Sequence, residues 1–150
     1  MNIFHSINTS ASALTAQRLR MDTISSNIAN AETTRATVNE QGEYEPYRRK
    51  MVTFQESGAS FSSYLNKATR NSTVGSGVRV ANITEDDEPF TMVYNPRHPD
   101  ANQDGYVAMP NVDTLEEMVD LMSATRSYEA NVTSLNATKS MLMKALEIGK

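Results

Sequence analysis

The stretch DANQDG, residues 100–105, spaces oxygen donors the way a calcium loop does. Asp100, Asn102, Asp104 and Gly105 match the first half of an EF-hand pattern. The twelfth position then falls on Asn111, where a bidentate glutamate is required, and Pro110 precedes it. The flanks read as strand and turn, not as helices. An Asp/Asn-Gly turn is therefore the reading, and no metal is assigned. His5 and His98, the two histidines, lie in segments far apart, and His98 sits in a turn between Pro96 and Pro99. Nothing in the spacing brings them together with carboxylates for acid–base work or metal binding. Serines are plentiful, yet there is no Gly-x-Ser-x-Gly elbow, no partnered Ser-x-x-Lys and no phosphate-binding glycine loop. The run Glu85, Asp86, Asp87, Glu88 reads as a solvated loop rather than a metal cradle. Arg48, Arg49 and Lys50 alternate with acidic neighbours, which predicts local ion pairing rather than a nucleic-acid patch. Tyr128 reads as a core residue. The sequence thus assigns no catalytic residue, no metal, no cofactor and no small-molecule substrate; the expectation is a protein that is not an enzyme.

Composition limits the alternatives. The 150 residues suffice for one domain with a small appendage. The apolar share is 39% with no tryptophan, against roughly 45–50% in ordinary globular chains. That is thin for a self-sufficient globule. A net charge of −4 argues against general nucleic-acid binding. With zero cysteines, disulfides and thiolate chemistry are excluded. The start, MNIFHSINTSASAL, lacks a basic region followed by an apolar one, so no secretory signal is read. No run approaches the ~18 apolar residues that span a membrane.

Three segments follow: helix, irregular strand-like middle, helix. Over residues 3–29, Ile7, Leu14, Met21 and Ile28 recur every seven positions, with Ile3, Phe4, Ala11 and Ile24 beside them. The rest is largely Ser, Thr and Asn, which bond to nearby backbone and weaken a helix standing alone. Packing must supply what propensity does not. The second helix is better specified. Asp113 or Thr114 caps its start, with Glu116 or Glu117 three residues on. Lys139 and Lys144 lie towards its far end, and Gly149 offers a stop. Leu121, Tyr128, Leu135 and Leu142 recur every seven positions; Met118, Thr125 and Val132 form a companion row. At about 36 residues it is roughly 54 Å long, so its partner must be long too. The two helices can pair parallel or antiparallel, either as an intrachain hairpin or among neighbouring copies. Their seams are small and soft, and packing among copies is the reading adopted.

The middle changes character. Tyr44–Phe54 reads as an edge strand or irregular ribbon broken by Pro46. Residues 56–77 read as a loop with a short helix around Phe61–Asn66. Gly77–Thr84 and Phe90–Tyr94 read as strands, followed by the NPRHPD turn and the short apolar segment Tyr106–Met109. The expected fold is α+β: long N- and C-terminal helices packed as a coiled-coil-like pair, with a small irregular β-rich middle. The expected division is a helical domain of 1–36 and 110–150, and an outer domain of 37–109.

SSNIANAETTR (25–35) and TRSYEANVTSLNATKSMLMKALEIGK (125–150) resemble the flagellar axial proteins of the rod and hook. The middle stretch YNPRHPDANQDGYVAMPNVD (94–113) is similar to one typical of a proximal rod subunit. Within these motifs lie Ser26, Asn27, Asn30, Thr33 and Thr34 at one end, and Ser127, Tyr128, Glu129 and Asn131 at the other. One departure is Arg35 after Thr34, where many relatives carry glycine.

The resemblance implies a structural subunit of the bacterial flagellar basal body, needed for flagellum assembly and motility. It implies export across the cytoplasmic membrane by the flagellar type III apparatus, without a cleaved signal peptide. It implies partners among other rod proteins, further copies of the chain, and membrane-ring and rod-adaptor proteins. Together these would build a hollow drive shaft, the terminal helices inside and the middle outside. Asn27, Asn30, Thr33 and Thr34 would then bond across packed helices and to the backbone where the chain leaves the helix. The expected packing surface is Ile7, Leu14, Met21, Ile28, Met118, Leu121, Tyr128, Val132, Leu135 and Leu142.

Overall fold

The computed structural model describes residues 3–40, 42–57 and 77–148. Helix α1 runs Ile3–Ala29, the span that the heptad row predicts. Its hydroxyls turn back on the helix as expected: Thr9 Oγ1 donates to His5 O at 2.9 Å, Ser12 Oγ to Thr9 O at 2.7 Å and Thr15 Oγ1 to Ala11 O at 3.1 Å. Helix α2 runs Thr114–Ile148. Asp113 caps it, its Oδ1 accepting from Leu115 N at 2.8 Å and Glu116 N at 3.4 Å. That satisfies two of the orphan donors of the first turn. The proposed stop at Gly149 and the short helix at Phe61–Asn66 lie outside the described residues.

Among the described residues the strands form three two-stranded pairs. They are β1 (Thr37–Val38) with β2 (Tyr44–Glu45), β3 (Lys50–Glu56) with β4 (Val78–Glu85), and β5 (Thr91–Tyr94) with β6 (Tyr106–Met109). The β5–β6 register is antiparallel, from Thr91 opposite Met109 to Tyr94 opposite Tyr106. The ribbon does break at Pro46: β2 ends at Glu45 and β3 begins at Lys50. An α+β chain with terminal helices and a strand-bearing middle is what the sequence predicts.

Contacts group the chain into two units. One comprises the described parts of Met1–Arg20, Thr53–Asn82 and Ser123–Lys150. Its buried residues Ser10, Ala16, Ala124 and Thr138 are all small. In it, Ser57 N donates to Gly77 O at 2.9 Å, and Val78 N donates to Ser12 Oγ at 3.1 Å. Gly77 has a φ of 92°, and a Cβ there would stand 2.5 Å from Ser12 Oγ. Glycine is therefore required where this strand starts against α1.

The other unit comprises Met21–Val52 and Ile83–Met122. It buries Thr23, Ile24, Asn27, Tyr47, Val107 and Glu117. The DANQDG stretch is the expected turn: Asn102 Oδ1 accepts from Asp104 N at 3.0 Å and Tyr106 N at 2.9 Å. Gly105 there has a φ of 80° and donates its N–H to Asn102 O at 3.0 Å.

Candidate functional site

Three polar side chains in the second unit come from distant parts of the chain. Asn27, on the last turns of α1, is 1% exposed, and Glu117, on the first turn of α2, is also 1% exposed. Asn27 Nδ2 donates to Lys50 O at 2.9 Å and to Glu117 Oε2 at 3.1 Å. Asn27 Oδ1 accepts from Lys50 N and from the Tyr47 hydroxyl, each at 3.0 Å. Both donors and both lone-pair directions of the carboxamide are thus used. A buried amide without partners would cost about 1–3 kcal/mol; here it ties two helices to the first residue of β3.

Arg49 completes the hub. Its Nε donates to Glu117 Oε1 at 2.6 Å, and its terminal nitrogens stand 3.7 Å from Asp86 Oδ2 and from Glu116 Oε1. Burial works against the guanidinium charge, but the hydrogen bond and charge of Glu117, with Glu116 and Asp86, outweigh it and raise the pKa. The backbone of Arg49 is held as well: its N–H donates to Asn111 Oδ1 at 2.9 Å, and its O accepts from Asp86 N at 2.8 Å. Among the described residues the ion pairing expected for the 48–50 run therefore involves Arg49 alone, and its partners are remote rather than local. Arg48 instead lies over the Phe90 ring at 4.4 Å, and Lys50 over the Tyr47 ring at 5.6 Å. Asp86 likewise leaves the solvated loop assigned to it, with a side chain only 13% exposed beside Arg49.

The exit of α1 is fixed by further bonds. Asn30 Nδ2 donates to Ser26 O at 2.9 Å, Thr33 Oγ1 to Asn30 Oδ1 at 3.2 Å and Thr34 Oγ1 to Asp100 Oδ2 at 2.8 Å. Ser26 Oγ lies 3.4 Å from the Tyr47 hydroxyl. Arg35 donates from Nε to Asp100 Oδ1 at 2.7 Å and from a terminal nitrogen to the same oxygen. Those bonds, with that from Thr34, hold the Asp100 carboxyl below the usual carboxylate range. Asp100 N donates to His98 Nδ1 at 3.1 Å, so this nitrogen acts as an acceptor. Asp100, a candidate calcium ligand by spacing, is thus engaged with Arg35. Among the described residues no three His, Asp or Glu side chains gather as a metal cluster. An open cleft of about 460 Å³ lies in the same unit, with Arg35, Glu45, Arg48, Lys50 and Glu85 on its walls. These charges are mixed in sign.

On the helices, Ile7, Leu14, Met21, Ile28, Leu121, Tyr128, Val132, Leu135 and Leu142 are all half-buried, whereas Met118 is 55% exposed. The buried row of α2 is Glu117, Ala124 and Thr138, with half-buried Asn131 between the last two. It alternates with Leu121, Tyr128, Leu135 and Leu142 at the spacing of a heptad seam. The row facing inward is thus one residue N-terminal to Met118, Thr125 and Val132. Of the C-terminal motif, Asn131 Nδ2 donates to Ser127 O at 2.8 Å, and Glu129 O accepts from Thr133 Oγ1 at 2.9 Å. Sequence reading passed over one stripe: Leu115, Met118, Val119 and Met122 are 72%, 55%, 54% and 54% exposed. Their spacing of i, i+3, i+4 and i+7 was the available signal.

Two family models match the chain. The model described as flagella basal body rod protein matches residues 7–37, and that described as flagellar basal body rod FlgEFG protein C-terminal matches residues 103–148. A helix at each end, with a match on each, defines the class as the flagellar rod proteins. Similarity extends over the whole length. The chain is 66% identical to the flagellar basal-body rod protein FlgC of Bacillus subtilis (strain 168), covering 100% of both. It is 43% identical to that of Borreliella burgdorferi, over 99% of this chain and 98% of the relative. It is 42% identical to that of Salmonella typhimurium, over 100% and 98%. The chain belongs to the FlgC family of flagellar basal-body rod proteins. It is a structural subunit of the rod, located in the basal body, and it assembles with other flagellar components.

Proposed function

We propose that the chain enters the rod by packing its terminal helices among other rod proteins and further copies of itself, and that the assembled hollow shaft transmits torque. The observation that carries this reading is the exposed stripe of Leu115, Met118, Val119 and Met122 on α2. Four apolar side chains on one helical face, each more than half exposed, favour association with another surface. The half-buried Ile7, Leu14, Met21, Ile28, Leu121, Tyr128, Val132, Leu135 and Leu142 extend the surface that neighbours would cover. A helical array is built from such heterologous, non-closing contacts. Residues 1–36 and 110–150 serve as the inner helical domain on this reading, and 37–109 as the outer one. Membrane-ring and rod-adaptor proteins are the neighbours at the rod's base, and the flagellar export apparatus delivers the chain. The role is structural, with no catalytic step, no nucleic acid and no small-molecule substrate.

Leu115→Asp tests the reading. The variant chain should keep its helical circular dichroism, because Leu115 is 72% exposed. Basal bodies per cell and swimming should fall to the level of a deletion strain. Normal swimming would overturn the assembly face.

A further inference from the structure

Half of the apolar stripe on α2 is thioether. Met118 and Met122 stand four residues apart on one helical face, 55% and 54% exposed, beside Leu115 and Val119. Met21 and Met109, in contrast, are half-buried, while the comparably exposed Met92, Met141 and Met143 lie outside this stripe, so position on the assembly face and not exposure alone distinguishes the pair. Methionine is the apolar side chain whose polarity a single oxidation reverses. We propose that Met118 and Met122 form an oxidation-sensitive site, at which oxidants of the peroxide class convert the free chain into one that no longer joins the rod.

The step balances. A thioether lone pair attacks one peroxide oxygen, the O–O bond breaks, a sulfoxide forms and water leaves. Sulfur is oxidised by two electrons and the peroxide is reduced. The product is a polar, chiral group on the face that must be dried on association, and an unpartnered polar group there opposes burial. Zero cysteines leave no thiol in the chain to intercept the oxidant first. Packing would shield both sulfurs, so the site is open in the free chain and closed after assembly. The inference rests on the assembly face proposed above.

The test uses the full-length chain with hydrogen peroxide, read by mass spectrometry, and paired variants in cells. Sulfoxide should form at Met118 and Met122 several-fold faster than at Met21 and Met109. The polar pair Met118→Gln with Met122→Gln should lower basal bodies per cell about tenfold or more. The apolar pair Met118→Leu with Met122→Leu should assemble to the same level with and without peroxide, whereas the unaltered chain should lose assembly under peroxide. Met92→Gln, on β5 and 55% exposed, should assemble normally and serves as the control. Equal oxidation at the half-buried methionines overturns the proposal, as does a leucine pair as sensitive to peroxide as the unaltered chain, or a defect in the Met92 variant. If the glutamine pair assembles normally while Leu115→Asp does not, the oxidation site fails and the assembly face stands. If both assemble normally, the face itself fails.

Discussion

The side chain of Asn27 closes both backbone hydrogen bonds of Lys50, donating to its carbonyl at 2.9 Å and accepting from its N–H at 3.0 Å. A carboxamide on α1 thereby replaces the peptide group of a neighbouring strand at the first residue of β3. The same side chain reaches Glu117 on α2, 90 residues along the chain.

Asn27→Leu should therefore destabilise far beyond its loss of contacts. It removes the partner of the part-buried Lys50 N–H and carbonyl, and leaves the buried Tyr47 hydroxyl with the longer contact to Ser26 Oγ. A loss of about 2–4 kcal/mol is expected, the size of one or two such penalties, measured by urea unfolding of the purified chain. A loss under half of one kcal/mol would mean that water replaces the amide freely.

Arg49 and Glu117 should behave as a coupled pair. Removing Glu117 alone strands a guanidinium with only the two 3.7 Å contacts left. Single Glu117→Ala and Arg49→Ala variants and their double form a cycle, for which a coupling of about 1–3 kcal/mol is expected. Additive losses would show that the pair contributes nothing beyond its separate parts.

The Asp100 carboxyl predicts an acid-side dependence. Its folded pKa is depressed, first by the hydrogen bond from Arg35 and then by that from Thr34. The contribution to stability is therefore full above the unfolded carboxylate value, about 3.9, and is lost as pH falls through the lower folded value. Thermal midpoints measured down through that window should fall in the wild type, and Asp100→Asn should lose this share of the slope. An unchanged slope in the variant would assign it to other carboxylates.

Gly77→Ala should fail at the junction of β4 with α1. The φ of 92° disfavours any Cβ, and the added carbon would meet Ser12 Oγ at 2.5 Å. A cost of roughly 1–3 kcal/mol follows from the backbone conformation alone, and Ser12→Ala should relieve only the steric part. Differential scanning calorimetry of the three variants separates the two contributions.

Leu135→Pro interrupts α2 in mid-span and should remove both helix continuity and swimming. The backbone cost alone is ~3 kcal/mol or more. Counting basal bodies in cells carrying the variant checks it, and wild-type numbers would show that the helix is dispensable.

What could be read from the sequence follows locality. α1 ends at Ala29 and α2 begins after Asp113 because heptad rows and caps are written within a few neighbouring residues. Strands β4, β5 and β6 were visible as short apolar runs between turn residues. The hub was not, because its bonds join residues 23 and 90 positions apart. The same limit misplaced the partners of Arg49, which neighbouring acids seemed to supply. The apolar pattern of α2 also carried no sign of the row buried within the chain, which lies one residue before Met118 and begins with a carboxylate, Glu117.

That inward row, with Glu117, Ala124, Asn131 and Thr138 at intervals of seven, is small or polar: Glu117 bonds Asn27 and Arg49, while Asn131 and Thr138 turn their side chains back on the carbonyls of Ser127 and Ser134. Filling it with leucines would give a stickier helix, able to adhere to many others at several offsets. The native choice accepts weaker adhesion and gains fidelity, so that a long helix in a crowded shaft has few wrong places to settle.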